Sequence, residues 1–217
     1  MSIKAVLFDL DGTLVNSLED LTDAINFMLA DFGKKALSTA EIVRLVGKGA
    51  RNLVRRALES DAPADIERGL SLFVAFNTAH IADKSSLYPG VRELLGALAA
   101  NGLRLAAISN KQESLSRLIL ESFGLASCFD VICGGDTFPE MKPSPMPLLK
   151  VVDGFGLAPA QAIMIGDSIN DIQAGKRAGI TTIGCTWGYG GLGELAKADH
   201  LANSCNEVAE ILKQLER

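Results

Sequence analysis

The sequence predicts an α/β fold: a parallel sheet with helices on both faces, interrupted after its first strand by an all-helical module. Three observations carry this. Apolar runs of strand length occur at 3–8, 103–108, 129–133, 162–165 and 180–184, and the later ones alternate with helical patterns, the rhythm of parallel strands joined by crossovers. The segment 16–86 shows helical periodicity and no convincing strand. At about 70 residues it is also far longer than the dozen or so a crossover requires. The sheet module is therefore assigned to residues 1–15 and 87–217, and the helical module to 16–86.

The elements follow in order. After the opening run, Ser17 leads into a pattern in which Leu18, Leu21, Ile25, Met28, Leu29 and Phe32 recur at three- and four-residue steps. Ser17 with Asp20 reads as a capping-box-like start, and Gly33 as the stop. A second short helix begins at Thr39 and ends near Gly47-Lys48-Gly49. A third spans 50–59. A fourth runs from Pro63, near its first turn, to about residue 79. Pro89-Gly90 resets the pattern. Val91, Leu94, Leu95 and Leu98 then line a helix that Asn101-Gly102 ends. The next helix, 112–123, carries Leu115, Leu118, Ile119 and Phe123 on its apolar face. Helices are expected at 145–155 and at 170–178, the latter stopped by Gly179. A glycine-rich loop surrounds Trp187-Gly188-Tyr189-Gly190-Gly191. A short helix at 192–197, a strand at 200–202 and a final helix to 216, capped by Asn206, complete the chain.

With 217 residues, the chain can bury a substantial core in one or two domains. Hydrophobic residues at 48% and charged residues at 22% exclude a disordered chain. A formal net charge of -5 argues against nucleic acid as a partner, because backbone phosphates demand a positive patch. It does not exclude a small phosphorylated ligand held by a local metal or lysine. The opening run lacks a charged lead-in and cleavage site and is cut short by Asp9. No run approaches the roughly 20 apolar residues of a membrane span. A cytoplasmic protein, monomeric or homodimeric and without a membrane partner, is expected. Cys128, Cys133, Cys185 and Cys205 lack the spacing of a paired metal knuckle and read as free thiols.

Open parallel sheets bind ligands outside the carboxyl ends of their strands. The notable polar residues gather there: Asp9 and Asp11, Ser109 and Lys111, Lys142, Asp167 and Asp171. Asp9 and Asp11 stand two apart and face the same way in a strand. Alone, Asp11-Gly12-Thr13 is equally a turn signature. Asp167 at another strand end favours a metal site, since Mg2+ takes a few carboxylates plus water and substrate oxygens. Magnesium in turn points to phosphate, with Asp9 as nucleophile and Asp11 as general acid and then base. Several positions keep two readings. Ser109 donates a hydrogen bond to a phosphoryl oxygen or caps a helix. Lys142, held extended by Pro143, is a clamp on nucleophile and phosphate or a surface lysine. Asp171 supports a metal or caps its helix. Thr13 caps or contacts phosphate. In the helical module, Lys48 and Arg51 are candidates to meet a substrate carboxylate, or else belong to an ordinary basic face with Arg55 and Arg56.

Together these residues resemble the haloacid dehalogenase superfamily of phosphatases. The four motifs are Asp9-Leu10-Asp11-Gly12-Thr13, then Ser109, then Lys142-Pro143, then Gly166-Asp167-Ser168-Ile169-Asn170-Asp171, in the family's order along the whole chain. The resemblance implies a Rossmann-like core with an inserted helical cap. It implies Asp9 as nucleophile and Asp11 as acid–base. Ser109 and Lys142 would bind the phosphoryl group, and Thr13 and Asn110 count among the substrate-binding positions. Mg2+ would be held by Asp9, Asp167, the backbone carbonyl of Asp11, and Asp171 directly or through water. Ser109-Asn110-Lys111, the stretch from Lys142-Pro143 to Leu149, and Trp187-Gly188-Tyr189-Gly190 are similar to the phosphoglycolate phosphatases. That likeness implies hydrolysis of 2-phosphoglycolate to glycolate and phosphate. Asn16 departs from the family, where a second aspartate is common. Neighbouring expectations are another small-molecule phosphatase or pyrophosphatase, and a sugar-phosphate mutase. Of other classes, a phospho-aspartate signalling module is disfavoured by the large insertion, and a non-catalytic binding protein by the complete motif set.

Overall fold

The computed structural model describes residues 2–215. Strand β1 (Ala5–Phe8) opens the chain, followed by the two-residue β2 (Val15–Asn16). Four helices come next: α1 (Leu18–Asp31), α2 (Thr39–Ile42), α3 (Gly49–Leu58) and α4 (Pro63–Ala79). Then follow β3 (Ser86–Leu87), α5 (Val91–Ala100), β4 (Arg104–Ile108), α6 (Glu113–Ser122) and β5 (Val131–Cys133). The remainder is α7 (Met146–Gly154), β6 (Ala162–Gly166), α8 (Ile169–Ala178), β7 (Thr181–Cys185), α9 (Leu192–Leu195), β8 (His200–Ala202) and α10 (Cys205–Leu215). No helix among the described residues is long and apolar enough to cross a membrane.

Six strands form one parallel sheet in the order β5-β4-β1-β6-β7-β8. β1 is flanked by β4 and β6, and all four of its residues are buried. That explains why its sequence is a continuous apolar run: both sheet faces are covered. Val6 and Phe8 belong to the core under α5, α6 and α10, while Ala5 and Leu7 belong to the core under α7 and α8. The order of the strands brings the ends of β4, β1 and β6 side by side. Ser109, Asp9 and Asp167 follow those three ends.

The inserted helices build a core of their own from residues such as Ile25, Met28, Leu53, Val54, Leu58 and Phe73. α4 comes close to α1 and α3 at Gly69, where a Cβ would stand 2.8 Å from Val54 and 2.9 Å from Leu58. The chain enters and leaves the insertion through β2 and β3, which pair antiparallel. This ribbon is a correction to the strand-free reading of 16–86. Two residues per strand are too few to leave a periodic trace, and their pairing spans the whole insertion.

Two cap assignments also change. Ser17 precedes α1 but makes no side-chain cap; its hydroxyl donates to Asp11 Oδ1 at 2.5 Å. Asp20 instead accepts from the backbone of Lys84 and Ser85 and from the Ser85 hydroxyl, tying the start of α1 to the strand that leaves the insertion. Asn206 lies inside α10 rather than before it, because Ser204 supplies the acceptors for Val208 and Glu207. Residue 216, the expected end of that helix, lies outside the described residues. The four cysteines are free thiols, three of them buried.

Gly69→Ala tests the packing of the insertion. Helix propensity favours alanine by about 1 kcal/mol, yet the missing space costs about 1–3 kcal/mol. Urea unfolding is expected to show a net loss of stability; a net gain would mean that the helices do not approach this closely.

Candidate active site

Asp9 sits just past the tip of β1, its amide donating to Ile165 of β6 at 2.9 Å. The chain then turns through Gly12, whose φ of +85° suits glycine. A Cβ there would lie 2.4 Å from Asp167 Oδ2, so the turn can lie against Asp167 only without a side chain. Three carboxylates converge as a result. Asp9, Asp167 and Asp171 each offer an oxygen, all within 4.8 Å of one another.

One ammonium answers them. Lys142 Nζ lies 2.9 Å from Asp9 Oδ1 and 2.6 Å from Asp171 Oδ1, and the lysine is buried. Its surface reading is thereby replaced. Asp171 takes its helix-cap reading, Oδ2 accepting from the amide and hydroxyl of Ser168 at the start of α8, while Oδ1 meets Lys142. Asp167 is held by Thr13, whose hydroxyl donates to Oδ1 at 3.2 Å, and by the amides of Tyr189 and Gly190 on Oδ2. Thr13 therefore supports a carboxylate. The two loop amides were not foreseen as site groups.

Asp11 does not join the trio. Its carboxylate accepts from Lys111 Nζ at 3.2 Å and from the Ser17 hydroxyl. Behind it, the Tyr189 hydroxyl accepts from the Ser17 amide at 2.7 Å and donates to Asn16 Oδ1 at 3.3 Å. Ser109 is buried four residues ahead of α6, so it is no helix cap; its Oγ accepts from the Lys111 amide.

A cavity of about 400 Å³ opens over these groups. Asp9, Asp11, Ser109, Lys142, Asp167 and Asp171 line it from the sheet side, and Lys48, Leu53 and Phe73 from the helical side. Arg51 does not line it. That side chain is largely exposed and pairs with Glu67 at 2.6 Å. Asn110 lines the cavity but spends its Nδ2 on the carbonyls of Gly47 and Lys142. Asn170, part of the fourth motif but without an expected role there, donates to the same Gly47 carbonyl at 3.1 Å. Two amides of the sheet module thus grip the loop between α2 and α3.

The electrostatics are lopsided. Two buried carboxylates and the half-buried Asp9, facing one ammonium, leave two negative charges uncompensated when all are ionised. Burial, followed by repulsion from Asp171, pushes Asp9 up to about 8 against the pull of Lys142. Burial and Asp171 likewise push Asp167 to about 7, although the Tyr189, Gly190 and Thr13 hydrogen bonds resist. For Lys142, burial disfavours the ammonium, but Asp171 and Asp9 outweigh it and its value rises. An all-oxygen donor set with two surplus negative charges fits a small, hard divalent cation.

Comparison with known proteins extends this geometry. The family described as haloacid dehalogenase-like hydrolase matches residues 6–185. A phosphoglycolate phosphatase of Chromobacterium violaceum is 42% identical over 216 residues, 97% of each chain. One from Rhodospirillum rubrum is 42% identical over 92% of this chain and 88% of its own. Among solved structures, a predicted phosphoglycolate phosphatase of Haemophilus somnus superposes with a TM-score of 0.93 at 34% identity, covering 97% of this chain and 98% of that one. CbbY of Rhodobacter sphaeroides, solved with phosphate, gives 0.80 at 30% identity over 95% and 96%.

The raised carboxyl values make a testable signature in metal-free protein. Asp9 and Asp167 hold protons more tightly folded than unfolded, so the stability they contribute is present at low pH. It is lost as the pH climbs from the ordinary 3.8 through about 7 and about 8. In EDTA the melting temperature is expected to fall between about pH 5 and pH 8, and Asp167→Asn to flatten the fall. An undiminished fall in that variant would place its origin elsewhere.

Proposed function

This chain belongs to the haloacid dehalogenase-like hydrolases, and from that membership we propose that it is a Mg2+-dependent phosphatase acting on small phosphate monoesters, with 2-phosphoglycolate as its substrate. The observation that carries the reading is Asp9 itself. Of the two carboxylates bonded to Lys142, it is the one that stays reachable from the cavity, its side chain 13% exposed against 0% for Asp171, whose other oxygen is taken by Ser168. The curated relatives, similar over nearly the whole chain, support the choice of substrate.

In this reading Asp9 attacks phosphorus, and the bond to the ester oxygen breaks. The leaving oxygen takes its proton from Asp11. Water then attacks the phosphorus of the aspartyl phosphate, giving its proton back to Asp11 and releasing phosphate with Asp9 restored. Lys142 steadies the Asp9 carboxylate and attracts phosphoryl oxygens, and Ser109 donates a hydrogen bond to one of them. Lys111 and Ser17 hold Asp11 at the cavity between these proton transfers. Asp9, Asp167, Asp171 and the Asp11 carbonyl would hold a magnesium ion, which supplies neutralisation of the phosphoryl charge. We assign residues 16–86 the role of a cap over the cavity. The grip of Asn110 and Asn170 on Gly47 supports that role as the contact which keeps water out during reaction.

A phosphate-release screen over many monoesters tests the proposal. Turnover is expected only with Mg2+, with the highest kcat/KM on 2-phosphoglycolate. A higher value for another ester or for pyrophosphate would reject the substrate, and full activity in EDTA would reject the metal.

A further inference from the structure

The wall that the helical insertion gives the cavity carries polar groups with no partner. Asn77 lies on α4 in the buried stripe of Ile66, Gly69 and Phe73, where the other members are apolar or hydrogen. It is 2% exposed, and its Nδ2 is enclosed without a hydrogen-bond partner. Such groups are rare in folded proteins unless something outside the chain satisfies them. Asn77 lines the cavity with Arg44, Lys48 and Arg56. Arg51 and Arg55, neighbours on α3, are paired with Glu67 and Asp61. Among the described residues Arg44, Lys48 and Arg56 form no salt bridge, and Arg56 makes one long contact, 3.4 Å, to the Leu45 carbonyl. Three cations and an idle amide therefore surround a space otherwise walled on this side by residues such as Leu53 and Phe73.

We infer that Arg56 and Asn77, joined by Arg44 and Lys48, form a second anion-recognising pole that selects phosphate esters whose leaving group carries a carboxylate. The inference rests on the monoesterase reading and deepens it. The sheet side of the cavity is negative and suits a phosphoryl group only together with a cation. The insertion side is positive and suits an anion directly. A substrate with a phosphoryl end and a carboxylate end matches both. Guanidinium can take a carboxylate through two parallel hydrogen bonds, and a buried amide rejects a ligand end that cannot hydrogen-bond to it.

Two esters that differ only there provide the test: 2-phosphoglycolate and ethyl phosphate. The readout is the ratio of their kcat/KM values in the wild type, Arg56→Leu, Arg56→Lys and Asn77→Leu. Loss of a charge-assisted hydrogen bond is expected to lower the ratio by about 10- to 100-fold in the leucine variants, with partial recovery in Arg56→Lys. If Arg56→Leu fails to fold, Asn77→Leu, with an apolar side chain of similar size, carries the test. Ratios equal to the wild type in both positions would overturn the pole. So would a wild type that prefers neither ester, although its turnover would leave the phosphatase reading intact. No turnover of either ester would overturn the phosphatase reading alone. Calorimetry on Asp9→Asn then still decides the pole: tighter binding of 2-phosphoglycolate than of ethyl phosphate upholds it, and equal binding overturns it.

Discussion

Asp9, Asp167 and Asp171 crowd together beside a single buried ammonium, Lys142, which pairs with Asp9 and Asp171. Burying charges is costly unless they are paired and hydrogen-bonded, so the surrounding structure is arranged to tolerate this cluster. Thr13 and two loop amides hold Asp167. Ser168 holds one oxygen of Asp171. Gly12 lets the turn after β1 lie against Asp167. What these contacts leave uncompensated is charge, and a divalent cation is the simplest remedy. The cluster is therefore less a source of stability than a cost that the fold sustains for its chemistry.

The fold supplies the means. β1 has a neighbour on each side and a helical layer on each face, which makes its tip one of the most constrained points of the chain. Asp9 inherits that rigidity. The insertion begins after β2, a few residues beyond Asp11, and returns through β3. The same short ribbon therefore joins the acid–base candidate to the helices that roof the cavity. Ser17 stands at this junction, bonded to Asp11 on one side and to Tyr189 on the other. Reaction and selection are thus assigned to opposite walls of one cavity, the negative wall from the sheet and the positive wall from the insertion.

Much of this was legible in the sequence because of how parallel strands are buried. Covered on both faces, they read as apolar runs, and the polar residues that end them stand out. Asp9, Ser109 and Asp167 were visible for that reason, and Lys142 by its place in the motif order. The β2–β3 ribbon was not visible, since two-residue strands paired across the insertion leave no local pattern. Ser17 and Asp20 imitate a capping box locally, while long-range partners claim both side chains. On α3, Arg51 and Arg56 are five residues apart, about 140° around the helix, so only one of them can face the cavity. Which one depends on how Leu53, Val54, Ala57 and Leu58 bury the helix. Asn77 did leave a trace, a polar residue continuing an apolar stripe, but a stripe alone does not tell a core position from a cavity wall.

The central claim is that Asp9 takes the phosphoryl group. Borohydride reduces an aspartyl phosphate to homoserine, so acid quenching during turnover of 2-phosphoglycolate with Mg2+, followed by reduction and peptide mass analysis, reads the acceptor directly. Homoserine is expected at position 9 and at no other aspartate. An unmodified Asp9 under turnover, or homoserine at Asp11, Asp167 or Asp171, would contradict the account.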